Sequence, residues 1–116
     1  MDTLQNFEKA KISHSKLSGY ALNPDHSDGK HKARRFMSAL GFGQKDAEEI
    51  ERQIRALLPR CKAINGVVDK HGKRYAVDIP MSGKNGDAIV RTAWIIGDDA
   101  VPRLTSIYVK ESGYEL

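Results

Sequence analysis

Apolar positions along this chain change their period once, near residue 60. Over 30–42 (KHKARRFMSALGF), Ala33, Phe36, Met37 and Leu40 recur at helical spacing. They predict a helix whose core face carries all four. Gly41, free to turn left-handed, ends it. From Lys45 to Leu58 a second stripe runs through Ala47, Ile50, Ile54, Leu57 and Leu58. Glu48, Glu49 and Glu51 come early and Arg52 and Arg55 late, which suits the helix dipole, and Pro59 stops the run. Beyond it the pattern becomes period two. Residues 62–69 read as a strand bulged at Asn65-Gly66. Lys70-His71-Gly72-Lys73 reads as a hairpin turn, after which Tyr75, Val77, Ile79 and Met81 alternate with Arg74, Ala76, Asp78 and Pro80. Pro80 lacks a donor, so that strand nears an end or an edge there. Residues 83–87 turn again. Residues 88–97 (AIVRTAWIIG) are apolar on both faces, the mark of a central strand. Asp98 to Pro102 forms a third turn, and 103–110 closes the sheet.

The first third is less regular. Residues 1–13 are weakly helical, with Leu4 and Phe7 as anchors. KLSGYAL (16–22) fits no single element. NPDHSDG (23–29) is a dense turn cluster, and Ser27 or Asp28 caps the basic helix behind it. The expectation is an α+β fold, with two to three N-terminal helices packed on one face of a four-stranded antiparallel sheet. The length supports a single domain over 1–116, with a leader (1–15), a core (16–110) and a tail (111–116).

Charge singles out the first helix. Net charge is +4, and residues 1–43 hold seven Lys/Arg against four Asp/Glu. Lys30, His31, Lys32, Arg34 and Arg35 crowd a helix N-terminus, where cations are disfavoured. Such a cluster is either a plain solvated face or an anion site. The largest common anion is a nucleic-acid backbone, which makes Lys30, Lys32, Arg34 and Arg35 candidate phosphate contacts.

Other classes are excluded or unsupported. Cys61 is the lone cysteine, so there is no internal disulfide and no cysteine metal site; a reducing, cytoplasmic compartment is expected. No apolar run reaches membrane-spanning length. HExxH, Walker and GxGxxG motifs are missing, as is any nucleophile elbow or metal constellation, so no cofactor is expected.

Strand parity places candidate chemistry. Val90, Thr92, Trp94 and Ile96 share one face of the third strand, and Trp94 belongs against the helices. Arg91 then projects from the other face. Register leaves two options for its company on the last strand: Ser106 with Tyr108, or Arg103 with Thr105. Arg91 there either stabilises a phosphorane-like charge or simply pairs with Asp78 across the strands. Among His14, His26, His31 and His71, His26 lies best for acid–base work, close to the start of the basic helix.

KLSGYALNPDH (16–26), GKHKARRFMSALGF (29–42), RTAWII (91–96) and PRLTSIY (102–108) together resemble an uncharacterised family of small bacterial domains. Its pattern runs K-L-x-x-Y, then K-A-x-x-F-x-x-x-L-G-F, R-T-x-W-I and P-R-L-x-S-x-Y. The resemblance covers about Lys16 to Tyr108. More loosely, the layout is similar to the barnase–EndoU–colicin–RelE group of metal-independent RNase toxins. The resemblance implies a small endoribonuclease, toxin-like, cleaving RNA through the 2′-hydroxyl. It implies His26 as acid or base, Lys32 and Arg91 on the phosphate, Ser106 and Tyr108 positioning substrate, and Arg103 on the nucleic acid. RNA and an immunity or antitoxin protein are the implied partners. The alternative is a non-catalytic nucleic-acid- or protein-binding module of inhibitor type, from a phage or mobile element.

Overall fold

A computed structural model describes residues 2–110; the tail set apart above, 111–116, lies outside the described residues. Three helices precede a four-stranded antiparallel meander. Helix α1 is short (His14–Lys16) and runs into a π-helical turn over Leu17–Ala21. Helix α2 spans Lys30–Leu40 and α3 Ala47–Leu57. The strands are β1 (Ala63–Asp69), β2 (Gly72–Ser82), β3 (Asp87–Ile96) and β4 (Pro102–Val109), in the order β1-β2-β3-β4. The α+β expectation holds, and the helices cover one sheet face.

The apolar stripes explain the packing. Phe36 and Leu40 of α2 and Ile50 and Ile54 of α3 are fully buried against Val77, Ile79, Met81, Val90 and Trp94. Trp94 is 0% exposed. Its indole N–H donates to Thr92 Oγ1 at 2.8 Å, and that hydroxyl donates to the Val77 carbonyl at 2.8 Å. No polar atom of the pair is left unsatisfied, as burial demands. Gly41 ends α2 with φ of 75°, and its N–H donates to the Met37 carbonyl at 2.9 Å.

Several expectations need correction. Met37 is 50% exposed and faces away from the core that holds Ala33, Phe36 and Leu40. Of the stretch expected to be weakly helical, 1–13, the described residues form only a 3-10 turn, Phe7–Lys9. Beyond it, the Lys11 N–H donates to the Pro102 carbonyl and its carbonyl accepts from Leu104, so the segment lies along the outer edge of β4. Leu4, Ala10 and Ile12 enter the core from this segment. Neither Ser27 nor Asp28 caps α2: Gly29 is the cap residue, without a side-chain bond. Pro80 lies within β2 opposite Ile89, past the point where β1 stops pairing, so its nitrogen faces a local edge. The expected bulge in β1 is present between Asn65 and Val68.

A second bulge was not foreseen, and it matters most. Ala93 pairs with Ser106 but Trp94 pairs with Leu104, leaving Thr105 as the extra residue. The Thr105 hydroxyl holds the bulge by donating to the Ala93 carbonyl at 3.1 Å. Strict alternation therefore fails on β4. Leu104, Ile107 and Val109 turn to the core, while Arg103, Ser106 and Tyr108 share the parity of Arg91. The two options left open by register merge: Arg91 has Tyr108 directly opposite, with Ser106 and Arg103 on the same face.

Candidate functional site

Gly29 sets the geometry at the start of α2. A Cβ there would stand 2.2 Å from the Tyr20 carbonyl oxygen, so only glycine lets the helix N-terminus touch the π-helical turn. That contact brings Tyr20 beside Lys32. The Lys32 ammonium lies 4.7 Å from the Tyr20 ring centroid and 5.7 Å from that of Tyr108. It donates to Ser106 Oγ at 3.1 Å. Two aromatic faces and a hydroxyl thus hold one cation in place. Lys32 is half-buried, so its charge is screened less than that of a free surface lysine.

Hollows open on both sides of Lys32. One, of about 290 Å³, is bordered by Ser15, Lys16, Tyr20, Thr105 and Ser106. The other, of about 400 Å³, is bordered by His31, Arg35, Tyr108 and Val109.

The cluster continues across the sheet. Arg91 sits opposite Tyr108 on β4 and opposite Asp78 on β2. It donates to both Asp78 oxygens, at 2.8 and 3.0 Å, and the Lys110 ammonium reaches the same carboxylate at 2.9 Å. The Arg91 bond, aided by Lys110, holds the Asp78 carboxyl below its ordinary range against the opposing effect of burial. Asp78, with Tyr108 in support, pushes the Arg91 guanidinium above its ordinary value. The cross-strand pair read from parity is therefore real. It does not silence the site: Asp78 is shared by Arg91 and Lys110, while Lys32 stands outside that group, bonded to Ser106.

His26 reaches the cluster through Tyr20, whose ring it meets edge-on with centroids 4.8 Å apart. Its Nδ1 accepts the N–H groups of Asp28 and Gly29, at 3.0 and 3.1 Å. The imidazole braces the 26–29 turn that leads into α2, while the helix N-terminus itself has no side-chain cap. An accepting nitrogen carries no proton, so the neutral ring holds its proton on Nε2.

Of the candidate residues, the structure brings His26, Lys32, Arg91, Ser106 and Tyr108 into one chain of contacts. Arg35 borders the same hollow as Tyr108 and donates to Ser38 Oγ at 2.9 Å. Lys30 and Arg34 belong to a separate groove. Arg103 is held at 2.8 Å by Asp99, four residues earlier, and is not joined to the Lys32 group by any described contact. His14 lies 3.7 Å from Glu51, and His71 is exposed in its turn. Tyr20 and Lys110 were not singled out from the sequence. Tyr20 is the aromatic of the K-L-x-x-Y motif, which was the available signal; Lys110 follows the last strand with no pattern to mark it. No cluster of three or more His, Cys, Asp or Glu suited to a metal ion is present among the described residues. No helix among them is long and apolar enough to cross a membrane.

Comparison with known families decides the affiliation. The family described as "Domain of unknown function (DUF6883)" matches residues 3–111. The chain belongs to the DUF6883 family. The match begins well before Lys16, so the DUF6883 domain takes in most of the leader as well as the core, in keeping with the buried Leu4, Ala10 and Ile12. Membership in an uncharacterised domain family is thereby established. A search of curated proteins returns no match.

Proposed function

We propose that this DUF6883 domain is a small metal-independent endoribonuclease of toxin-like type, cleaving RNA through the ribose 2′-hydroxyl. The supporting observation is Lys32: a fixed, half-buried cation, set between two hollows and bonded to a hydroxyl beside a phenol. A phosphodiester seated on Lys32 has room for a nucleoside on either side. Attack by the 2′-oxygen forms a bond to phosphorus, breaks the bond to the 5′-oxygen, and leaves a 2′,3′-cyclic phosphate. The 2′-hydroxyl gives its proton to a solvent water, and the leaving 5′-oxygen takes one from His26 in its imidazolium form. Lys32 stabilises the charge that grows on the phosphoryl oxygens, and Ser106 and Tyr108 orient the group. Arg91 braces Tyr108 and adds positive potential. His26 offers Nε2–H to the substrate. It becomes a proton donor only as the imidazolium, whose Nδ1–H gives up the two backbone bonds of the 26–29 turn.

A second reading is a non-catalytic nucleic-acid-binding module. The bidentate Arg91–Asp78 pair and the occupied Nδ1 of His26 favour it, since both hold groups that catalysis would use. RNA is the partner in either case, and a toxin-like RNase calls for an immunity or antitoxin protein.

Incubation of the purified protein with total RNA in EDTA separates the readings. The nuclease reading expects fragments ending in cyclic phosphate, and Lys32→Ala lowering the rate about 100-fold or more. Salt-sensitive binding without cleavage, lost in Lys32→Ala, selects the binding module. Absence of both cleavage and binding at low salt eliminates the two together.

A further inference from the structure

Helix α2 divides its cations between two faces. Lys32 and Arg35 border the Tyr108 hollow, whereas Lys30 and Arg34 stand one turn apart on a different stripe that continues to Met37. These three line a groove of about 490 Å³ with Leu22, Pro24 and Gly43. The floor is aliphatic, since Leu22 is buried, and Met37 lies half-exposed across it. The side chains of Lys30 and Arg34 are exposed and make no ion pair or hydrogen bond among the described residues. Among the described residues, no carboxylate and no aromatic side chain lines the groove.

Each feature bears on the occupant. Two unpaired cations at the rim call for negative charge. An aliphatic floor topped by a flexible thioether calls for an apolar side chain, which Met accommodates well. Single-stranded nucleic acid supplies the charge, but its bases seek aromatic platforms, and none is here. We infer that this groove docks an acidic segment of a partner protein, with an aliphatic side chain inserted over Met37 and carboxylates on Lys30 and Arg34. The site lies on the opposite stripe of the helix that presents Lys32, and the inference stands whether or not RNA is cut.

The probe is a fluorescein-labelled nonapeptide made of Glu with two Leu residues, read by anisotropy and by the Met37 methyl NMR signal. It is expected to bind and to shift that methyl. Two variants attack the apolar lining without touching charge. Met37→Gln removes the apolar lid. Gly43→Leu fills the groove, because a Cβ at Gly43 already comes within 3.2 Å of Met37 Cε. Each is expected to weaken the peptide at least tenfold, as is the double change Lys30→Ser with Arg34→Ser. An all-Glu peptide of the same length is expected to bind at least tenfold more weakly than the Leu-bearing one. Failure of the Leu-bearing peptide to bind overturns the inference, and so does equal binding of the all-Glu peptide. A Met37 shift produced equally by oligouridylate assigns the groove to nucleic acid instead.

Discussion

At the scale of single residues, His26 and Asp78 decide what the cluster can do. His26 has two separable properties: an acceptor that holds the 26–29 turn, and a titratable ring. Asn keeps the first and lacks the second, because its carbonyl oxygen serves backbone N–H groups in the same way that Nδ1 does. His26→Asn is therefore expected to keep near wild-type stability while losing RNA cleavage, and His26→Ala to lose both. Full activity in His26→Asn, measured beside thermal melting, reduces His26 to a brace of the 26–29 turn. Asp78 ties β2 to β3 through Arg91 and to the end of β4 through Lys110. Its folded-state pKa lies below the ordinary value of 3.8. The stabilisation is complete above that value and is lost as pH falls through the folded one. Asp78→Asn is expected to cost about 1–2 kcal/mol at pH 7, the pair being partly buried. The gap to wild type should narrow below pH 3.8, measured by urea denaturation. Asp46, Glu49 and Asp99 are also held low, by the Gly43 N–H, Arg52 and Arg103 respectively, so only the difference between the two proteins isolates Asp78. An equal gap at pH 7 and pH 3 contradicts the assignment.

At the scale of elements, the tie between α3 and the sheet runs through a polar side chain. Gln53 is buried; its amide donates to the Ser82 carbonyl at 2.8 Å and accepts the Ser82 N–H at 3.0 Å. Gln53→Leu keeps the volume but strips both partners from Ser82. A loss of about 2 kcal/mol is expected in chemical denaturation, and a neutral result removes Gln53 as the anchor. Gln53 also shows where sequence pattern stops informing. The stripes of α2 and α3 and the alternation of β2 and β3 were legible, because burial on one face imposes a period. Gln53 is polar on a buried stripe, and no period announces it. Met37 fails for the reverse reason: four apolar residues make a stripe wider than the sheet contact, and the pattern does not say which edge stays outside. The Thr105 bulge is a backbone event stabilised by a hydroxyl, which alternation alone does not reveal, so the face shared by Arg91, Ser106 and Tyr108 could not be fixed in advance. The π-helical turn and the edge contact of Lys11 arise from tertiary contacts, and their local sequence is neutral between helix and loop.

At the scale of the whole molecule, the cluster belongs to no single element. Tyr20 comes from the π-helical turn, Lys32 from α2, Arg91 from β3 and Tyr108 from β4, so it forms only when the π-helical turn, α2 and the sheet close together. The individual candidates were readable because the motifs name them, but their convergence depends on the close approach at Gly29 and on the bulge. That dependence gives the nuclease proposal its sharpest consequence. If Lys32 holds the phosphate and Arg91 acts through Tyr108 on the same group, the two contribute to one transition state. Lys32→Ala and Arg91→Ala are each expected to lower cleavage about 100-fold or more, and the double variant to lose much less than the product, as groups working as a unit do. Arg91→Lys keeps the charge but not the bidentate grip on Asp78, and is expected to fall between wild type and Arg91→Ala. Circular dichroism on each variant separates lost chemistry from lost structure. Defects that multiply in a folded double variant mean that Lys32 and Arg91 act independently, and the shared phosphate is then wrong even if RNA is cut.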